Sequence, residues 1–239
     1  MKTEELLREL ARRKLLVSRK LVERIVEAKD SPELIVRLAD ELDEVSDGWF
    51  SVHSMFILSR IGSREAFDAL VKLVTTRDLE EWTVEDLPYL FARFENCEEE
   101  LEKLIKSDAD EFVRLAAFEA LIVADRKRAE RVAKWLLEKE SEICVFLYYI
   151  ATLGDEFKEK AKKLVEKCEF LSEEDLEEAE FDIVMKDPWE HFNPENLLRL
   201  YKINYGKLKM DKYEPCFCES GKKFKHCCYE VWKKVKSEF

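Results

Sequence analysis

The chain has 239 residues, 46% of them apolar and 39% charged, with only 5 Gly and 5 Pro. It can bury a core but lacks the turn residues that many short strands consume, so an all-α protein is expected. The net charge of -12 is uneven: residues 1–30 carry 9 basic and 6 acidic groups, 31–200 carry 22 and 42, and 201–239 carry 10 and 5. So acidic a body repels nucleic acid over most of its surface, which argues against DNA specificity and leaves only the two ends for any polyanion.

Gln is absent and Asn occurs four times, the charged, amide-poor usage of thermophilic proteins. The opening MKTEELLRELARRK lacks the apolar run of a secretory signal, and the longest apolar stretch, Ile143 to Leu153, is about half a membrane span. A cytoplasmic protein without membrane insertion is expected. Four of the seven cysteines fall between Cys216 and Cys228, a density that fits a metal site in a reducing compartment better than a disulfide framework.

In chain order, Leu6, Leu7 and Leu10, then Leu21, Val22, Ile25 and Val26, follow helical spacing and predict one or two amphipathic helices over 4–28. Asp30-Ser31-Pro32-Glu33 predicts a helix start with Ser31 as N-cap, running to about Val45. Beyond Gly48 a period near 31 emerges. Leu70, Leu101 and Val132 recur in register, as do Leu73, Leu104 and Trp135, and Val74, Ile105 and Leu136. These are the buried stripe of a second helix, while Leu58, Leu90 and Leu121 mark a first, so each unit is a helix pair. A fourth pair covers Ile143 to Leu153 and Glu156 to Cys168. Helix pairs that cannot bury their faces alone stack into a curved array with a concave binding face.

Leu171-Ser172-Glu173-Glu174-Asp175-Leu176 predicts a capped helix start, and Asp187-Pro188-Trp189 and Asn193-Pro194-Glu195 are turn signals. The expected organisation is N-terminal capping helices over 1–46, repeats over 47–169, a closing helix and connector over 170–205, a flexible lysine-rich linker over 206–213 and a tail over 214–239.

In the tail, Cys216 and Cys218 are followed after eight residues by Cys227 and Cys228. Four thiolates in this pattern suit one tetrahedral, closed site, and the expectation is a single structural Zn2+. His226 is an alternative fourth ligand. Cys228, Val231, Trp232 and Val235 share one helical face, so a helix carries a ligand at its start and packs beside the knuckle. So short a segment has little core, and the metal supplies most of its folding free energy, on the order of 10 kcal/mol.

Pro215 to Cys228, with Ser220-Gly221-Lys222-Lys223 and Phe224 between the cysteine pairs, resembles the SEC-C motif, the zinc module that ends the SecA translocation ATPase and many other proteins. Phe217 and Glu219 replace its usual Pro and Gly, and the resemblance favours Cys228 over His226 as ligand. The resemblance implies a contact surface at Lys222, Lys223, Phe224, Lys225 and His226, and as partner an acidic chaperone, a ribosomal component or RNA. The segment 112–121 resembles the first helix of a HEAT repeat, and Ile61 to Ala66 its inter-helix turn, implying an α-solenoid. The body, through Gly48-Trp49-Phe50, Glu81 to Pro88 and Phe112-Val113-Arg114, also resembles an uncharacterised repeat family that carries this tail.

Cys97, Cys144 and Cys168 lie in apolar helix patterns and read as core. Trp49, Trp82, Phe50 and Tyr89 read as repeat core or an aromatic patch. His53 reads as packing. His191, near Asp187, Glu190 and Glu195, could serve a hydrolase as general base, but no second histidine partner for a hydrolytic metal is evident. The leading expectation is therefore a non-enzymatic, protein-binding adaptor, with RNA binding and hydrolysis as alternatives.

Overall fold

The computed structural model describes residues 2–77, 85–139, 143–181 and 183–238, and among these every regular element is helical. The chain collapses into two compact units, one formed by 1–73 with 186–239 and one by 74–185. The C-terminal residues thus group with the N-terminal helices.

In the first unit, α1 (Thr3–Arg13) buries Leu6, Leu7, Leu10 and Ala11. The single stretch 4–28 is interrupted at Lys14, whose φ of 52° breaks the helix, and Ser18 caps α2 (Arg19–Val26) by accepting the Leu21 amide at 3.1 Å. Helix α3 (Ser31–Ser46) has Asp30 at its N-cap position. Ser31, expected as the cap, lies inside the helix, and its hydroxyl donates to the Ile25 carbonyl instead.

Asp47 and Gly48, with φ of 58° and 84°, turn the chain into α4 (Trp49–Ile61). The end of α3 caps α4: Ser46 Oγ accepts the Phe50 amide and Asp43 Oδ1 the Ser51 amide, each at 2.8 Å. Helix α4 is buried around most of its circumference, from Phe50 through Met55, Phe56, Ile57 and Leu58, and packs against α1, α2 and α3. Helix α5 (Arg64–Thr75) follows Gly62.

The second unit holds α6 (Leu87–Phe91), α7 (Glu98–Ile105), α8 (Glu111–Ala124), α9 (Arg126–Leu137), α10 (Cys144–Ala151), α11 (Asp155–Val165) and α12 (Glu173–Glu177). Helix α8 is its centre, packed against α6, α7, α9 and α10 through Val113, Ala116, Ala117, Phe118, Ala120 and Leu121. The small residues let neighbouring helices approach closely. Asp110 caps α8 by accepting the Phe112 amide at 2.9 Å, and Asp125 caps α9 by accepting the Arg128 amide at 3.0 Å.

The 31-residue register falls on real helices. Leu101, Leu104 and Ile105 are buried on α7, and Val132 and Leu136 on α9, whereas Trp135 is only half-buried. Its lysine neighbours explain the exception: Lys106 and Lys139 sit 5.4 and 5.5 Å from the ring centroid. Trp49, Phe50 and Tyr89 are core residues rather than an exposed patch. Trp82 and the Glu81–Val84 part of its motif lie outside the described residues.

Cys144 and Cys168, read from the sequence as core thiols, instead form a disulfide. Cys144 opens α10 and Cys168 follows α11, so the antiparallel return of a helix pair brings the two Cα atoms to 5.6 Å, within bonding range. Cys97 is buried, as expected.

Returning to the first unit, Asp187 opens a short 3-10 turn (Pro188–Glu190) by accepting the Trp189 amide at 3.1 Å. Asn193 opens α13 (Pro194–Tyr205) by accepting the Glu195 amide at 3.0 Å. At the end of α13 the Tyr205 hydroxyl accepts a hydrogen bond from Trp49 Nε1 at 2.9 Å, which fastens this helix to α4. The final helix, α14 (Tyr229–Ser237), packs on α13 with Trp232 and Val235 buried. Among the described residues no helix is long and apolar enough to cross a membrane.

Candidate metal centre

The knuckle is assembled by backbone bonds that bring residues 214–216 beside 222–224. The Cys216 amide donates to the Lys222 carbonyl at 2.9 Å, and the Phe224 amide to the Glu214 carbonyl at 2.8 Å. Between them the Glu219 amide closes a turn onto the Cys216 carbonyl at 3.0 Å, with Glu219 and Gly221 at φ of 57° and 78°. Only glycine adopts that region without a Cβ penalty, so Gly221 suits its place and Glu219 carries strain. A 3-10 turn (Phe224–His226) then delivers Cys227 and Cys228, and Cys228 is the N-cap residue of α14.

The sulfurs of Cys216, Cys218, Cys227 and Cys228 all lie within 4.8 Å of one another. Cys218 Sγ is 3.3 Å from Cys216 Sγ and 3.4 Å from Cys227 Sγ, and Cys227 Sγ is 3.9 Å from Cys228 Sγ. A tetrahedron with metal–sulfur arms of 2.3 Å has edges of about 3.8 Å, so the four thiols fit one thiophilic cation. His226 is exposed and stands outside the cluster, which Cys228 completes.

The thiols have contrasting acidities. Burial pushes Cys216 up, and burial together with the neighbouring Cys216 and Cys218 sulfurs pushes Cys228 up further. Burial also works against Cys218, but hydrogen bonds from Ser220, Cys216 and Cys227 bring it down to about 7. Thiolates held this close repel one another, and a divalent cation offsets that repulsion as it displaces the protons.

The expected contact residues divide. Lys222, Lys223 and His226 are exposed on the knuckle. Lys225 is half-buried, with its ammonium 4.4 Å from the Tyr213 ring centroid. Phe224, expected to stand out, is 1% exposed and packs edge-on against Tyr229, so it belongs to the interior of the knuckle. A segment of this size needs its aromatic residue inside to have any apolar core.

His53 and His191, 138 residues apart, meet. His53 Nδ1 lies 2.9 Å from His191 Nε2, and His53 Nε2 lies 2.9 Å from the Lys14 carbonyl oxygen. A carbonyl only accepts, so His53 carries its proton on Nε2 and the neutral pair is completed by an Nε2 proton on His191. The His191 ring stacks on Phe56 at 3.8 Å. Burial pushes His53 down to about 4 despite the Lys14 bond, and burial next to His53 holds His191 well below the ordinary imidazole range. Of the carboxylates that neighbour His191 in sequence, Asp187 caps the Trp189 turn, Glu195 pairs with Arg199 and Lys234, and Glu190 is exposed. His191 is thus a packed, solvent-excluded ring rather than an accessible general base.

Sequence reasoning missed Glu119 as well. It is nearly enclosed on α8, and burial raises its carboxyl to about 7 against the opposing effect of a Tyr149 hydrogen bond. Its one sequence signal is a carboxylate set among the mostly apolar positions from Val113 to Leu121.

Among family models, the SEC-C motif matches residues 214–230. The segment is a SEC-C module, and its four cysteines cluster as a metal site requires. Comparison with curated proteins and with solved structures returns no match.

Proposed function

We propose that the protein is a non-enzymatic, cytoplasmic adaptor whose SEC-C module holds one structural Zn2+ and presents a basic surface to a protein partner. The observation that carries this reading is the closed convergence of four thiols with Lys222, Lys223 and His226 exposed on the same knuckle. Four protein ligands leave no open position for water or substrate, so the metal has a structural role. The basic surface suits an acidic chaperone or a ribosomal component.

The helical pairs supply a second contact surface, read here as a HEAT-like array. Supporting it is a cleft of about 610 Å³ in the second unit where Trp135, Lys106 and Lys139 face Asp108, Asp110 and Glu111. A lining of both charge signs with one aromatic ring suits a polypeptide segment. The amide-poor composition fits a thermophilic source, a setting in which intracellular disulfides such as Cys144–Cys168 do occur.

Two measurements on the full chain test the reading. Elemental analysis should give one zinc per chain, falling to zero when Cys216 and Cys218 are both changed to Ser. Ribosome co-sedimentation and acidic-chaperone binding should both be compared with a Lys222→Glu, Lys223→Glu, Lys225→Glu variant. Loss of either interaction in the variant supports the adaptor, whereas wild-type and variant chains that behave alike in both assays sink it.

RNA is the second reading, favoured by Lys212 and Lys225 flanking the half-exposed Tyr213 ring. Binding to a ribosome-free RNA that falls steeply with added salt would identify it.

A further inference from the structure

Glu219 occupies a backbone conformation that glycine adopts freely and an L residue adopts at a cost, yet its side chain and carbonyl are both engaged. Its carboxylate lies 2.6 Å from Arg13 Nη2, at the last residue of α1, and its carbonyl accepts from Lys20 Nζ at 3.1 Å, in the first turn of α2. One knuckle residue therefore bridges both sides of the corner that joins α1 to α2. Cys218 shares a cavity of about 300 Å³ with Val17, Arg19 and Trp189, so the metal site itself stands beside that corner. The inner side of the corner is held by the Lys14 carbonyl on His53. A second clasp, Lys234 to Glu195 at 3.0 Å and Arg199 to Glu238 at 2.9 Å, holds α14 against α13.

We propose that Glu219 couples metal loading of the knuckle to the order of the α1–α2 corner, a coupling that rests on reading 214–230 as metal-binding. A metal held by Cys216 and Cys218 fixes the turn that includes Glu219 and presents its carboxylate and carbonyl to Arg13 and Lys20. Without metal the turn has little core to hold it, and both bonds are released. Coupling of this kind is reciprocal, so the corner contributes to metal affinity as the metal contributes to the corner. A glycine at 219 would satisfy the backbone but leave the corner without its carboxylate partner, which gives the strained residue a purpose.

The test uses the full chain as wild type, Glu219→Gly and Arg13→Ala, each zinc-loaded and chelated. Zinc content, zinc affinity by competition with a chromophoric chelator, and amide hydrogen exchange are read on the same samples. In the wild type, chelation should raise exchange across residues 13–22 by about tenfold or more while leaving α7, α8 and α9 unchanged. In both variants that zinc-dependent difference should shrink to under about threefold. Arg13→Ala should weaken zinc binding by about two- to fivefold, the range of a partly exposed ion pair. Glu219→Gly should still bind one zinc, because glycine fits the turn. A wild type that binds zinc but shows no zinc-dependent protection at 13–22, or a Glu219→Gly chain that keeps the full wild-type difference, overturns the coupling alone. A wild type that takes up no zinc overturns the metal reading and the coupling with it.

Discussion

The two sets of cysteines outside Cys97 show how differently one side chain can stabilise two parts of a molecule. At the knuckle, four thiols close in sequence surround one point, and there is little apolar interior beyond Phe217, Phe224 and the α14 residues Trp232 and Val235. In the second unit, a single bond between Cys144 and Cys168 is added to a core already built around Phe118, Leu121, Phe146 and Leu147. On the proposed metal-bound reading the knuckle depends on its sulfur chemistry for its fold, whereas in the second unit the disulfide is added to an existing apolar core.

Removing the metal proposed for the knuckle should break the contrast most sharply. Chelation should remove on the order of 10 kcal/mol of local stabilisation and abolish exchange protection over 214–230, with the second unit retaining its own. Replacing Cys144 and Cys168 together by Ser should cost the second unit about 3.5 kcal/mol, the chain-entropy value for a loop closed across 24 residues. Denaturant unfolding followed in that unit checks this, and the unit should stay folded in water.

Acid should separate the units by another route. His53 and His191 are neutral and buried in the fold, so between about pH 6.5 and 4 the unfolded chain binds protons that the folded chain does not. Stability of the first unit should therefore be full above pH 6.5 and fall by about 2 kcal/mol between pH 7 and 5 from His53 alone. Urea midpoints across that range check the slope, and His53→Phe with His191→Phe should flatten it. The smallest effect is expected at a helix end: Asn193→Ala removes the acceptor for the Glu195 amide and should cost about 1 kcal/mol, read as a shifted unfolding midpoint of the first unit.

Most local chemistry was legible in the sequence, although the cap position of α3 fell on Asp30 rather than Ser31, and distant pairing was not. Ser172 does cap its helix, with Asp175 completing a reciprocal capping box, and Asn193-Pro194-Glu195 does open one, because such signals act over three or four residues. The cysteine cluster was legible for the same reason. The disulfide, the His53–His191 pair and the Glu219–Arg13 bridge span 24, 138 and 206 residues, and nothing in local spacing encodes them. Phe224 shows a subtler gap. Its place between lysines marks it as exposed by pattern, whereas the need of a small knuckle for an apolar interior draws it inward.

The first unit is also discontinuous along the chain, with residues 74–185 falling between its two parts. A ribosome adds roughly 5–20 residues each second. Helices α1 to α4 are thus synthesised many seconds before the segment carrying His191, Tyr205 and Glu219 exists, and until then His53, Trp49 and Arg13 lack those partners. The second unit, continuous in sequence, can complete its core during that interval. Vectorial synthesis therefore sets an order of assembly in which the earliest-made helices wait for the last-made residues.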